Sequence, residues 1–305
     1  VETLPTLTDL LTQGEEMLRT KSPSPKLDAE VLLAFTCNIP KYKLVTERNT
    51  QVTSQQLACY LTLLSRRQQR EPVAYLTGRK EFYGRDFKVT PAVLIPRPES
   101  ELMVERALEV VRNIGSNRQA DEIRILDLGT GSGCLILSVV AELRSMGVKV
   151  EGVAIDLSKE ALSIANQNAQ ALDCLDGISF LEGDWFSPLK KVEFLNGTSF
   201  DLILANPPYV AVGDEVSPET TFEPQSALFS GESGLQDTRI LLEQAAPYLK
   251  DTGTLLIEVG AGKRATLNPF FEGNGTLFEQ WYPPSLFGDD SLADRFTILE
   301  FRKRI

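Results

Sequence analysis

The 305-residue chain is long enough for two domains of roughly 100–200 residues, and its 42% apolar content suits a core of normal size. The absence of histidine excludes His-based nucleophilic triads, His general bases and His-ligated metals, so no metal is expected. The net charge of −11 is uneven: residues 1–96 carry 13 Lys and Arg against 10 Asp and Glu, and residues 97–305 carry 18 against 32. The longer, acidic part is a poor general binder of nucleic acid, because phosphate contacts require Lys and Arg.

Residues 1–75 read as helices. "LTDLLTQGEEMLR" places Leu7, Leu10, Leu11, Met17 and Leu18 on one helical face. "SPSP" at Ser22–Pro25 is a break, after which "KLDAEVLLAFTCN" resumes the 3.6-residue period. "TSQQLACYLTLLSRRQQR" opens with Thr53 or Ser54 as N-cap and ends in a basic turn that suits the helix dipole. The cluster Arg66, Arg67 and Arg70 is most simply a solvated helix end. Residues 76–96 form a connector, with a β-hairpin around Gly84. In "PRPESELMVERALEVV", Pro98 suits a first helical turn, with Glu99 and Glu101 near its N-terminus. From Ile123, "IRILDLG", "VEGVAID", "ISFLEGD", "FDLILAN" and "GTLLIEVG" are strand-like, with helical segments between the first three. Such alternation predicts an α/β domain over 97–305 with a parallel, doubly wound sheet, preceded by a small helical bundle over 1–75. The tail "FTILEFRK" fits a late edge strand.

No apolar run approaches the ~20 residues that span a bilayer. The N-terminus lacks the basic start and apolar run of a secretion signal. Cys37, Cys59, Cys134 and Cys174 are scattered, without a CxxC pair, which suits reduced thiols and a cytoplasmic location. An organellar protein freed of its transit peptide would look the same. We expect a monomer, without a membrane or direct nucleic-acid partner.

"ILDLGTGSGCLILSVVAEL" is a strand, a glycine-rich turn and a helix. Gly129, Thr130, Gly131, Ser132 and Gly133 make a cradle at a helix N-terminus, where the glycines allow close backbone approach. A dinucleotide fingerprint, G-x-G-x-x-G, would place its third glycine at position 134, which is Cys134. The GxGxG pattern instead suits a nucleoside cofactor without a pyrophosphate. Asp156, 27 residues after Gly129, can accept both hydroxyls of a ribose. Asp184 can meet an adenine amino group and Trp185 can cover the ring. The plainer readings are a helix cap for Asp156 and core packing for Trp185.

A fourth strand ends in Asn206-Pro207-Pro208-Tyr209. In a doubly wound sheet, ligands bind where strand order reverses. If the first and fourth strands are neighbours there, this corner faces the cofactor's reactive end. The Asn206 side-chain oxygen and the Pro207 carbonyl can accept hydrogen bonds from a planar –NH2 group. The two prolines fix both acceptors in space, and Tyr209 can stack on the group.

These residues resemble the protein-(glutamine-N5) methyltransferases that modify peptide-chain release factors, the HemK/PrmC family. The resemblance covers nearly the whole chain, including "REPVAYLTGRKEFYG", "VLIPRPESELMVE", "ILDLGTGSG", "AIDLSKEALSIANQNA", "GDWFSPL", "FDLILANPPYV" and "FEPQSALFSGESGLQDTRILL". It implies a Rossmann-like methyltransferase sheet with S-adenosylmethionine at Gly129–Gly133, Asp156, Trp185 and Asn206, leaving S-adenosylhomocysteine as product. It also implies glutamine-amide binding by Asn206, Pro207, Pro208 and Tyr209. The implied substrate is the glutamine of the Gly-Gly-Gln motif in release factors, and residues 1–75 would help to hold that partner. The late segment "DDSLADRF" and the stretches 112–122 and 190–199 depart modestly from the family pattern. Asn-Pro-Pro-Tyr alone is shared with amino-methyltransferases acting on adenine or guanine in DNA or RNA, which is the rival enzyme reading. A cofactor-binding adaptor without turnover and a NAD-dependent dehydrogenase are weaker readings. The first gives Asn206 no use, and the second lacks a hydride-transfer acid and has Cys134 in the turn.

Overall fold

A computed structural model describes residues 4–117, 122–191, 197, 199–260, 263, 266–267 and 296–302. Two compact units divide the chain: Val1–Arg79 with Val216–Phe222, and Lys80–Glu215 with Glu223–Ile305.

The first unit holds helices α1 (Leu7–Leu18), α2 (Pro25–Cys37), α3 (Lys43–Thr46), α4 (Ser54–Gln68) and α5 (Val73–Thr77). Thr6 and Thr53 cap α1 and α4 through reciprocal boxes with Asp9 and Gln56, which satisfy amide donors left free at a helix start. The apolar faces meet in a core of Leu10, Leu18, Leu32, Leu33, Tyr60 and Leu64. Leu7 is buried with them, and Leu11 and Met17 pack at the margin, as the helical period predicts. The basic end of α4 differs from expectation. Arg66 pairs with Glu71 at the surface, but Arg67 is only 4% exposed. Its guanidinium donates to Asp28 at 2.7 Å and to Glu219 at 3.3 Å, and Arg70 also reaches Glu219. The buried carboxylate of Asp28 demands a cation there, so Arg67 is an interior ion-pair residue rather than a solvated end.

In the second unit, β1 (Arg79–Phe82) and β2 (Arg85–Lys88) form the expected hairpin. Its two-residue loop, Tyr83-Gly84, has φ of 49° and 70°, the left-handed pair that matches the twist of the strands. A 3-10 turn at Pro98–Ser100 leads into α6 (Glu101–Asn117). The chain then alternates through β3 (Ile123–Leu128), α7 (Cys134–Ser145), β4 (Val150–Asp156), α8 (Lys159–Ala171), β5 (Ile178–Glu182), β6 (Phe200–Ala205), α9 (Gln236–Gln244), β7 (Leu249–Gly260) and β8 (Phe296–Arg302). The sheet order is β5-β4-β3-β6-β7-β8, parallel except for the antiparallel edge strand β8. Every residue of β6 is buried, as a parallel strand covered on both faces requires. One face packs on α6 and α7, and the other on Phe186, Leu241 and Leu242.

The strand order reverses between β3 and β6. Leu128 pairs with Ala205, so the glycine turn and Asn206 leave adjacent strand ends side by side. Of the departing segments, 118–121, 192–196, 198 and 289–295 lie outside the described residues, while 112–117 belong to α6. No helix among the described residues is long and apolar enough to cross a membrane.

Candidate active site

A cavity of about 560 Å³ opens at the carboxyl ends of β3, β4, β5 and β6, within the second unit. Its wall includes Gly129, Thr130, Gly131, Ser132, Asp156, Asp184, Trp185, Asn206 and Pro208. Three strand ends and the proline corner thus share one crevice, because strand order reverses there. Gly133, Pro207 and Tyr209 are not among the lining residues.

The glycine turn is held from beneath. The N–H groups of Gly129 and Thr130 both donate to the Ile155 carbonyl, and Thr130 Oγ1 donates to Asp127 Oδ2 at 2.7 Å. Gly133 caps α7 with φ of 80°, and a Cβ there would lie 2.9 Å from Leu137 Cδ1. Its role is therefore to let the turn join the helix. Asn168 on α8 braces the turn from the side: its amide donates to the carbonyls of Ser132 and Lys88, and its oxygen accepts from Lys88 N–H. The glycine turn and the hairpin are tied by one side chain.

Asp156 accepts from Gly131 N–H at 2.8 Å through Oδ2 and from Ser158 N–H at 2.9 Å through Oδ1. It therefore fixes the turn and the start of α8, and each oxygen keeps lone pairs for a ligand. Burial raises its pKa against these bonds. The indole of Trp185 faces the turn, with ring carbon Cζ3 3.5 Å from where a Gly129 Cβ would stand. Trp185 has φ of 41°, a left-handed conformation that costs a non-glycine residue roughly 1–2 kcal/mol. Such strain tends to gather at ligand sites. The same indole also packs against the core, as the plainer reading of this residue expected.

The proline corner rests on groups that the sequence reading passed over. Asn206 Nδ2 donates to Ser100 Oγ at 3.2 Å, and Ser100 donates to Glu258 Oε2 at 2.6 Å. Burial pushes Glu258 up to about 7. Glu223 accepts from Ile95 N–H at 3.0 Å and from Arg97 at 2.6 Å, so "FEPQSAL" anchors the chain that carries Arg97 and Ser100 into the cavity wall. The same stretch runs beside the corner, where Val210 N–H donates to the Leu228 carbonyl. Tyr209 packs its ring edge onto Gly260, where a Cβ would meet Cδ2 at 2.9 Å. Desolvation and the charge of Glu258 push its phenol up to about 12, so it stays neutral. Asp127, under the glycine turn, is raised to about 7 by burial, and its Oδ1 lacks a hydrogen-bond partner. A lone carboxylate inside an apolar strand, as in "ILDLG" and "LLIEVG", is the signal that marks Asp127 and Glu258.

The PrmC N-terminal domain family matches residues 9–78, and a methyltransferase domain family matches residues 119–272. The release factor glutamine methyltransferase of Koribacter versatilis (strain Ellin345) is 40% identical over 244 residues, covering 78% of this chain and 80% of its own. That of Vibrio cholerae serotype O1 is 39% identical over 248 residues, covering 81% of each. Among solved structures, the hMettl16 catalytic domain in complex with MAT2A 3'UTR hairpin 6 shares the fold, with a TM-score of 0.50, 13% identity and 82% coverage of both chains. The chain belongs to the release factor glutamine methyltransferase family.

Proposed function

We propose that the protein transfers a methyl group from S-adenosylmethionine to the side-chain amide nitrogen of the glutamine in the Gly-Gly-Gln motif of a release factor. The observation that carries this reading is the position of Asn206, in one cavity with the glycine turn, in a chain of this family. The cavity suits the cofactor. Gly131 has no atom within 4 Å of where a Cβ would stand, so the turn leaves room for close approach. Asp156 has lone pairs for ribose hydroxyls, and Asp184 and Trp185 line the adjoining wall. When bound, the cofactor supplies an electrophilic methyl on a sulfonium.

The chain's own groups then have simple tasks. Asn206, held through its NH2 end by Ser100, keeps Oδ1 to accept an N–H of the substrate amide. The Pro207 carbonyl accepts the second N–H, and Pro208 closes the wall beside it. Two acceptors on one NH2 group keep electron density on nitrogen as its bond to carbon forms. Tyr209, neutral and seated on Gly260, shapes the corner. The departing proton goes to water, so the lack of histidine is no obstacle. Catalysis is mainly positioning and desolvation. Residues 1–75 serve as a clamp on the release factor in this reading.

Incubation with a release factor and labelled cofactor, followed by peptide mapping, tests the proposal. A mass gain of one CH2 on glutamine is expected. Label entering only DNA or RNA in parallel reactions would favour the base-methylating alternative. Asn206→Ala should lower the rate by about 10²–10³-fold, the usual cost of one preorganised hydrogen-bonding group, with a much smaller change in cofactor affinity. Wild-type turnover in that variant would remove Asn206 from the mechanism.

A further inference from the structure

The amide of Asn206 has two nearly isosteric ends of opposite hydrogen-bonding sense. Only the oxygen can accept from a substrate –NH2; the reversed amide would meet donors with donors. Something must therefore fix which end faces the substrate. Shape alone does little, whereas the neighbouring hydroxyl can decide. Ser100 has one proton. In the structure it goes to Glu258 at 2.6 Å, so the Ser100 oxygen accepts from Asn206 Nδ2 at 3.2 Å, and Oδ1 is the end not held.

Glu258 is otherwise hard to explain. It sits in β7 with 1% exposure, among buried Leu255, Leu256, Ile257 and Val259, and opposite Ile298 of β8. A carboxylate in such a setting costs free energy unless it is hydrogen-bonded. The turn before α6 supplies its bonded partner Ser100, Asn206 itself also lies within bonding reach of the carboxylate, Glu99 opposes its ionisation and Arg97 favours it. Tyr209 after β6 and Cys134 on α7 are close enough to feel its charge.

Building on the glutamine-methylation reading, we propose that Glu258 is a positioning residue that acts through Ser100, and directly on the Asn206 NH2 end, to hold the Asn206 amide with its oxygen toward the substrate. The ionised carboxylate can only accept, which forces the order Asn206 to Ser100 to Glu258. A protonated carboxyl can donate instead. The Ser100 proton is then free to turn toward Asn206 and favour the reversed amide. Since burial places the Glu258 transition near pH 7, the order should fail on the acid side of neutrality.

The test uses the full chain with Glu258→Gln, Ser100→Ala and the double variant. Glu258→Gln should lower kcat by about 10–100-fold, the range seen when supporting hydrogen-bond partners of a site are lost, with cofactor affinity unchanged. The losses in the double variant should be less than additive, because both residues hold the same amide. Additive losses would overturn the proposal. Wild-type kcat should fall as pH drops below about 7, and this limb should vanish in Glu258→Gln; an unchanged limb would also overturn it. A second readout needs no release factor. In protein labelled with 15N-asparagine, the Asn206 carboxamide signals, identified by their loss in Asn206→Asp, should shift with pH near 7 in wild type. They should stay fixed in Glu258→Gln, or in Glu258→Leu if the first variant does not fold. Carboxamide signals that ignore pH in the wild type would sink the relay even if glutamine methylation is active. PH-responsive signals without methylation would instead count against the functional reading alone.

Discussion

Asp28 and Arg67 meet at 2.7 Å with little access to water, and the hydroxyls of Ser22 and Ser24 complete the coordination of the carboxylate. Removing the cation would strand a buried charge. Arg67→Met should therefore destabilise the chain by about 3–5 kcal/mol, the usual cost of breaking a buried pair from one side. Glu219→Gln should cost less than about 1 kcal/mol, because Asp28 still neutralises Arg67 and Glu219 is partly solvated. Urea denaturation of the two variants checks the contrast, and equal losses would refute it. A helical period can assign Leu10 and Leu64 to a core, but it cannot sink an arginine at a helix end. The partners of Arg67 lie 39 residues before it and 152 after it, and nothing local announces them. Glu258 and Asp127 were more legible. Each interrupts an apolar strand, and that interruption is the mark of a polar group with a task.

The glycine turn and the proline corner were readable because each joins a strong strand pattern to residues that force one local geometry. Their adjacency followed from the alternation of strands and helices, which leaves few topologies for a parallel sheet. Asn168 was not readable, since an asparagine inside an amphipathic helix has no sequence mark of the two backbone segments it ties. Two glycines separate conformational from steric demands. Gly84, with φ of 70°, has nothing within 4 Å of where its Cβ would stand, so Gly84→Ala should cost only the left-handed penalty of roughly 1–2 kcal/mol. Gly133, with φ of 80°, would also drive a Cβ to 2.9 Å from Leu137 and 3.3 Å from Ala165. Overpacking adds about 1–3 kcal/mol, so Gly133→Ala should lose about 2–5 kcal/mol in total. It should also weaken cofactor binding, because the turn would shift at the cavity floor. Denaturation and calorimetric titration of both variants would show whether the ranking holds.

Across the whole molecule, buried carboxyls set the response to pH. Asp127 and Glu258 are raised by burial to about 7, well above the values of free carboxyls near 4. The folded state therefore binds more protons than the unfolded state between about pH 4 and 7, and their contribution to stability falls as pH rises through that window. Above about 7 it stays flat. Glu122 and Glu219, whose pKa values are lowered, act the other way and lose their contribution as pH falls below the ordinary carboxylate range. The melting temperature should accordingly be higher at pH 6 than at pH 8. The double variant Asp127→Asn/Glu258→Gln should flatten that difference in scanning calorimetry; an unaltered slope would show that other groups govern it. The first compact unit carries a different consequence, because it is built from two stretches of chain. Its apolar core is complete within residues 7–76, but Glu219 is made 152 residues after Arg67. At ribosomal speeds of roughly 5–20 residues per second, that interval is on the order of ten seconds. For that time the nascent bundle holds Arg67 against Asp28 alone, with one acidic position still to be filled. A translating ribosome thus finishes the amino-terminal unit of this protein only after it has made most of the carboxyl-terminal one.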